Sequence, residues 1–175
     1  MNTSPAAGDH VTLVLAAQSG DRDAFGELYS RFARAVHAVL LARLPRPQVE
    51  DLVQDVFLHA MTKLRELREP AAFGGWICTL ARRRAADHYR RTEPEAPLED
   101  TAAGGSSPEM AAEAAAAVAA IQELPEAYRE TLALRLIAGM SGPEIAAATG
   151  LTPDSVRVNL HRGFRLLRSR LGVTS

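Results

Sequence analysis

A stretch of 17 residues near the middle of the chain interrupts the pattern of apolar residues and so limits how many domains the chain can form. Residues 92–108, TEPEAPLEDTAAGGSSP, are rich in proline, glycine, serine, threonine and acids and contain almost nothing apolar. Such a composition is typical of a flexible linker. The stretch holds four acids and no base, which gives it a net charge of −4. We therefore predict two small domains, residues 8–91 and residues 109–173, joined by an acidic flexible linker.

Helical periodicity of the apolar residues runs through both predicted domains, and neither contains a convincing strand pattern. In the first domain, a short helix over 9–18 precedes a longer one whose cap is Asp21 or Asp23. The sequence PRP at 45–47 ends the second helix, and a third ends before Pro70. A fourth helix follows and becomes basic towards its end. Four helices with short connections indicate a compact helical bundle.

The second predicted domain ends in a helix-turn-helix. The sequence SGPE from Ser141 is a capping box that starts a short helix over about 142–149. Gly150 closes this helix in the left-handed conformation, and Thr152 caps the final helix. In the helix before the motif, the residues predicted to face inward are Tyr128, Leu132, Leu136 and Ile137. The predicted fold class is all-α, with two small helical domains, a bundle and a helix-turn-helix.

The outer face of the last helix is strongly basic, since five arginines and no acid follow Asp154. The stripe predicted to face the core is Val156, Leu160, Phe164, Leu167 and Leu171. The opposite face holds Ser155, Val158, His161, Arg162 and Arg165. Arginine on a helix in the major groove can bond guanine edges or phosphates, and Val158 can contact a thymine methyl group. The alternative is a solvated, arginine-rich helix in a bundle of three helices.

A second basic run, residues 82–91, carries a net charge of +4 and follows the aromatic residues Phe73 and Trp76. Positive charge beside flat side chains suits single-stranded nucleic acid, through attraction to the backbone and stacking of the bases. In the alternative, the arginines are merely solvated and both rings belong to the core. Taken one by one, Phe73 and Trp76 are better explained as core residues.

Four motifs follow one another along the chain: GDRDAFGELYSRF, EDLVQDVFLHAM, FGGWICTLARRRAADHYRR and LPEAYRETLALRLIAGMSGPEIAAATGLTPDSVRVNLHRGFRLLRSRL. Together they closely resemble the extracytoplasmic-function (ECF) group of bacterial sigma factors. The resemblance spans both predicted domains and implies a promoter-specificity subunit of RNA polymerase, with sigma region 2 first and region 4 last. It also implies that the polymerase supplies catalysis, so neither enzymatic activity nor a cofactor is expected.

The resemblance further implies roles for residues at matching positions. The region 2.2 helix, which docks on the β′ clamp coiled coil of core polymerase, matches at Glu50, Asp51, Gln54 and Asp55. Regions 2.3 and 2.4, which read the −10 element on an unpaired strand, match at Trp76, Arg82, Arg83, Tyr89, Arg90 and Arg91. Region 4, which binds the β flap and reads the −35 element in the duplex, matches at Thr152, Ser155, Arg157, Val158, Asn159, His161, Arg162 and Arg165. Without the resemblance, the first group is an ordinary acidic first turn of a helix.

Two departures from the family pattern limit what carries over. A family sequence commonly has Ala-Arg-Asn where this chain has Ala-Arg-Arg at 81–83. The usual Lys-Ser-Arg of the recognition helix is Arg-Val-Asn at 157–159, which keeps one charge but changes the groups that can read bases. The resemblance therefore predicts no particular promoter sequence.

Three other functions are weighed against a sigma factor. An enzyme is disfavoured because the five histidines are scattered and no HExxH, paired-cysteine or phosphate-binding glycine motif is found, so no metal site is predicted. A plain helix-turn-helix regulator would explain residues 124–171 but leave the first domain without a role. A sigma-factor mimic, which sequesters an anti-sigma factor without touching DNA, should lack the basic outer face of the last helix.

Location and partners follow from what the sequence contains. It has no apolar run of membrane-span length and no export signal. The lone Cys78 lies in an apolar helical pattern and is predicted to be a small core residue. We expect a cytoplasmic protein without direct membrane insertion. The expected partners are core RNA polymerase, promoter DNA and, by family analogy, an anti-sigma factor.

Overall fold

The computed structural model describes residues 9–91 and 107–172, and within these ranges the chain forms eight α-helices and no β-strand. The first module contains α1 (Asp9–Gln18), α2 (Arg22–Leu41), α3 (Val49–Lys63) and α4 (Phe73–Arg91). The second module contains α5 (Pro108–Gln122), α6 (Glu126–Leu136), α7 (Gly142–Thr149) and α8 (Pro153–Arg170). The all-α prediction is confirmed. Of the predicted linker, residues 92–106 lie outside the described residues.

The ends of the helices are fixed by local hydrogen bonds of the kind that the sequence predicts. Of the two candidate caps of α2, it is Asp21 whose carboxylate accepts from two backbone amides of the first turn, at 2.9 and 3.0 Å. Ser141 forms the predicted capping box at the start of α7. Gly150 ends α7 with a φ of 74°, a conformation that costs little only for glycine. Thr152 then caps α8, so the helix-turn-helix is confirmed.

The first module is built around a core to which α2, α3 and α4 all contribute. Its largest fully buried side chains are Leu28, Val36, Val39, Leu40, Val49, Val56, Phe73 and Ile77. The ring of Phe73 lies 5.0 Å from that of Phe32 and 5.7 Å from that of Trp76, measured between centroids. Trp76 is only half-buried, so it covers one edge of the core while part of its ring meets solvent.

Helix α6 differs from the prediction because it buries two faces. Leu132 is fully buried in a small cluster with α5 and α8, and Leu134 is fully buried in the larger cluster shared with the first module. Leu136, predicted to face inward, is 49% exposed. Leu171, at the end of the predicted stripe of α8, is 45% exposed because the helix ends at Arg170. Apolar periodicity predicts one buried face of a helix, whereas α6 lies between two neighbours and is buried on two sides.

The two modules pack directly against each other. Helix α4 contacts α7 and helix α2 contacts α6. The amide of Gln122 donates to the carbonyl of Leu41, the last residue of α2, at 2.7 Å and to that of Leu44 at 2.9 Å. A Cβ atom at Gly75 would lie 2.7 Å from the carbonyl oxygen of Ala147, so α4 and α7 approach as closely as glycine permits. The modules thus adopt a closed arrangement in which part of each surface is covered.

Candidate nucleic-acid interface

The predicted duplex-binding residues of α8 lie largely on one exposed face. Val156 and Leu167 are buried, and Gly163 is buried against Leu132 of α6, which fixes the side of α8 that faces inward. The exposed side chains on the other side are Arg157, Val158, His161, Arg162 and Arg165. Val158 is 40% exposed in the middle of this face. The arrangement offers cationic donors on either side of an apolar contact, as recognition of base edges and phosphates requires.

Three of the predicted duplex-binding residues hold the helix in place. The hydroxyl of Thr152 accepts from the backbone amide of Ser155 at 3.2 Å and donates to its hydroxyl at 2.8 Å. Asn159 is half-buried and donates its side-chain amide to the carbonyl of Ala127 at 3.0 Å. The first two contacts fix the start of α8 and the bond of Asn159 joins α8 to α6, so the three residues orient the face that carries the arginines.

The C-terminal end of α4 carries the second cationic surface. Its exposed arginines are Arg83, Arg90 and Arg91. Arg90 pairs with Asp87 one turn earlier, and Tyr89 is 77% exposed, a high value for an aromatic side chain. A free aromatic ring among arginines is the combination on which bases of a single strand stack while the backbone is neutralised.

Arg82 and Trp76 are placed differently from the rest of the predicted single-strand surface. The guanidinium of Arg82 is half-buried, donating to the carboxylate of Glu130 at 2.8 Å and to the carbonyl of Ala148 at 2.5 Å. Both partners belong to the second module. Trp76 packs on Phe73 and lines a cleft of about 570 Å³ between the two modules. In the closed arrangement both residues therefore lie at the contact between the modules and are less exposed than Tyr89.

The predicted polymerase-binding residues form an exposed acidic surface on α3. Glu50, Asp51, Gln54 and Asp55 are all exposed, and Glu50 lies 3.1 Å from the ring nitrogen of His37. Exposed apolar side chains, which the sequence analysis did not single out, continue this surface along the helix: Leu58, Met61 and the neighbouring Tyr29. Leu58 and Met61 lie four and seven residues after Gln54, and this helical spacing is the signal that could have found them. Acidic groups beside an apolar patch suit a partner with a basic rim and an apolar anchor.

Cys78 offers no reactive thiol. It is buried, as predicted, and burial raises the pKa of its thiol to about 12, more than the nearby Arg82 lowers it. Among the residues that the structure describes, no group of three histidine, cysteine or carboxylate side chains is arranged to hold a metal ion. Nor does any helix in the described ranges have the length and apolar character needed to cross a membrane.

Comparison with known proteins identifies the family to which each module is similar. Residues 28–94 match the family model for sigma-70 region 2, and residues 114–167 match the model for sigma-70 region 4. The chain is 32% identical over 163 residues to the RNA polymerase sigma factor CarQ of Myxococcus xanthus, covering 89% of this chain and 93% of CarQ. It is 30% identical to the ECF RNA polymerase sigma factor SigD of Mycobacterium tuberculosis, covering 94% of this chain and 85% of SigD.

Solved structures agree as well. The structure of CnrH in complex with the cytosolic domain of CnrY matches with a TM-score of 0.70 and 28% identity, covering 94% of this chain and 98% of CnrH. A sigma factor RpoE solved with the anti-sigma factor NepR from Bartonella quintana matches with a TM-score of 0.63 at 21% identity, which supports the fold alone. Along this chain, the match to sigma-70 region 2 precedes the match to sigma-70 region 4.

Proposed function

The chain belongs to the ECF group of the sigma-70 family of RNA polymerase sigma factors, and from this premise we propose how its surfaces divide the work of promoter-directed transcription initiation. Initiation is the function of this family, and the chain carries both of the family's promoter-reading regions. The observation that carries the proposal is the presence of two separate cationic surfaces on one chain, the outer face of α8 and the end of α4.

The outer face of α8 binds the −35 element as duplex DNA. Arg162 and Arg165 are exposed on the face that Thr152, Ser155 and Asn159 orient. Arg157 is paired with Asp154 at 3.1 Å, but both side chains are at least 80% exposed, so this ion pair is weak and exchanges readily for a phosphate. Val158 adds an apolar contact to a base in the groove.

The end of α4 reads the −10 element on the unpaired strand. Tyr89 provides a face for base stacking, and Arg83, Arg90 and Arg91 neutralise the sugar-phosphate backbone. Arg82 and Trp76 join this surface when the two modules separate. Since both modules are held on one polymerase, the second promoter contact becomes effectively intramolecular, and two weak contacts give a specific complex.

The acidic surface of α3 docks on the β′ clamp coiled coil of core polymerase, and the second module binds the β flap. The polymerase supplies the chemistry, so we assign no catalytic activity to this chain and place its action in the cytoplasm. CnrH, a relative, is solved with the cytosolic domain of a second protein. We extend this likeness to an anti-sigma partner that holds the present chain inactive.

Run-off transcription with purified core polymerase and a promoter library tests the proposal. We expect the chain to bind core polymerase and to start transcription at a defined subset of promoters. If it binds core polymerase but starts no transcript, a sigma-factor mimic becomes the better explanation. If it binds duplex DNA and not core polymerase, it is a plain helix-turn-helix regulator.

The acidic surface has its own test. The double variant Asp51→Ala, Asp55→Ala should weaken binding to core polymerase in a pull-down titration, because it removes two exposed carboxylates from the docking face. The matched control is Glu109→Ala, Glu113→Ala, which removes two exposed carboxylates from α5. Equal losses in the two double variants would mean that only net charge matters, and the assignment of α3 would fail.

A further inference from the structure

The centre of the contact between the modules is one carboxylate held by two arginines. Glu130 of α6 accepts from Arg43 at 2.7 Å and from Arg82 at 2.8 Å. Its side chain is only 12% exposed, and the two arginine side chains are about one-quarter exposed. Both arginines belong to the first module and the carboxylate belongs to the second. A single anion therefore compensates two neighbouring cations across the interface, and removing it leaves two like charges in a partly dry site.

Other polar contacts across the interface end on backbone carbonyls, which can bind water instead. Arg82 donates to the carbonyl of Ala148 near the end of α7, and Arg34 donates to the carbonyl of Ile137 just beyond α6. Gln122 donates to two carbonyls at the C-terminal end of α2, those of Leu41 and Leu44. Carbonyl groups at helix ends lack partners within their own helix, and water satisfies them equally well when the modules part. Breaking these polar contacts therefore costs little, and the shared apolar cluster provides the remaining resistance to opening.

We propose that Glu130, Arg43 and Arg82 form a latch that keeps the free chain closed and withholds Arg82 from nucleic acid until the modules separate. The inference rests on the proposed function, since Arg82 is the one latch residue that also belongs to the predicted single-strand surface. A phosphate group offers Arg82 the same anionic oxygens as the carboxylate of Glu130. Closure and strand binding therefore compete for one guanidinium group.

A second feature lets closure be tested without changing any charge. Gly75 lies inside α4, where alanine is a better helix former than glycine. Its Cβ atom would lie 2.7 Å from the backbone oxygen of Ala147 in the second module. Gly75→Ala should therefore leave the first module intact and wedge the two modules apart.

The experiment uses the full chain and two readouts in the absence of polymerase. The radius of gyration from small-angle X-ray scattering reports opening, and fluorescence anisotropy reports binding to a short fluorescein-labelled single-stranded oligonucleotide of mixed sequence. Glu130→Gln and Gly75→Ala should each increase the radius of gyration and tighten oligonucleotide binding about tenfold. The released Arg82 should also steepen the salt dependence of binding, by about 0.7 in the log–log slope for one added phosphate contact.

The matched controls make the same chemical changes away from the interface. Glu123→Gln removes a carboxylate that pairs with Arg170 inside the second module. Gly26→Ala adds a methyl group in α2 with nothing within 4 Å. Neither should change the radius of gyration or the oligonucleotide affinity by more than about twofold.

Each outcome decides a separate point. If Glu130→Gln does not increase the radius of gyration, the latch is wrong. If both variants open the chain and oligonucleotide affinity stays constant, the masking of Arg82 is wrong. Should Glu130→Gln lose helical circular dichroism, Gly75→Ala alone decides whether opening unmasks Arg82, because its charges are unchanged. Failure of run-off transcription with normal opening would overturn the proposed function instead, and the two failures are distinguishable.

Discussion

The two modules of this chain differ in how far each is complete without the other. The first has a core of its own, with Phe73 as its largest fully buried side chain. The second keeps only a small cluster for itself, made of Ile121, Leu124, Leu132 and Leu167. Its other buried apolar side chains join the cluster of the first module: Ala133, Leu134, Ile145, Ala148 and Val156. The second module therefore depends on the first for a part of its stability.

The two cationic surfaces differ in how exposed they are, and here the second module has the more exposed one. The outer face of α8 belongs to the dependent module, yet its arginines Arg162 and Arg165 are exposed in the closed arrangement. The end of α4 belongs to the self-sufficient module, yet Arg82 beside it is bound to Glu130. If the two surfaces act as proposed, the one for duplex DNA is available before the modules part, whereas the one for a single strand is complete only afterwards.

A change in the core of the first module tests whether the second module depends on the first for its stability. Phe73→Ala removes a fully buried ring and should lower the free energy of unfolding by about 3–5 kcal/mol. Tryptophan fluorescence reports the first module, because Trp76 is the only tryptophan, and far-ultraviolet circular dichroism reports the helices of both. We expect both signals to shift together in urea, since the modules share a cluster.

The control for this variant is Tyr89→Ala in the same helix. Its side chain is 77% exposed, so the free energy of unfolding should change by no more than about 0.5 kcal/mol. A circular dichroism transition in Phe73→Ala that divides into two steps, with only the earlier step coinciding with the fluorescence transition, would mean that the second module is stable without the first.

A substitution on the outer face of α8 tests whether this exposed face binds duplex DNA. Arg162→Ala should weaken binding to promoter duplex by about 1–3 kcal/mol, because one donor to a base or phosphate is lost. Its affinity for core polymerase should stay nearly constant. Arg68→Ala, an equally exposed arginine in the first module, is the matched control. Titration by fluorescence anisotropy measures both, and an equal loss in the two variants would assign the effect to net charge alone.

Local chemistry made much of the fold predictable. The caps at Asp21, Ser141 and Thr152 and the left-handed Gly150 each depend on residues only a few positions apart, so the sequence contains all of their information. The inward and outward faces of α8 follow from one helical period because a single side of that helix is buried. The acidic surface of α3 was found only by resemblance, since an acidic first turn alone is ordinary.

The parts that escaped prediction depend on contacts between distant residues. Leu134 was missed and Leu136 misplaced because α6 is buried on two sides, and periodicity marks only one. Glu130 has no local signal, since its partner Arg82 lies 48 residues earlier in the chain. For the same reason Asn159 resembles a base-reading residue until its bond to Ala127, 32 residues away, is known. Which cation meets which anion is settled by the packing of the modules.

Two glycine-to-alanine substitutions test how tightly the small cluster of the second module is packed. Gly163 and Gly26 both lie inside helices, so replacement by alanine brings the same gain in helix propensity, about 0.5–1 kcal/mol. At Gly26 nothing lies within 4 Å of the new methyl group, and the gain should appear in full. At Gly163 the methyl group would lie 2.8 Å from Cδ1 and 3.1 Å from Cγ of Leu132.

Leu132 is fully buried and belongs to the small cluster that the second module keeps for itself, so it has little room to move. Overpacking there costs about 1–3 kcal/mol, which exceeds the helical gain and leaves Gly163→Ala about 1 kcal/mol less stable than the natural chain. Urea unfolding at a constant m-value measures both variants. If Gly163→Ala were stabilised as much as Gly26→Ala, Leu132 would have to move at little cost. The second module would then be less tightly packed around α6 and α8 than its geometry implies.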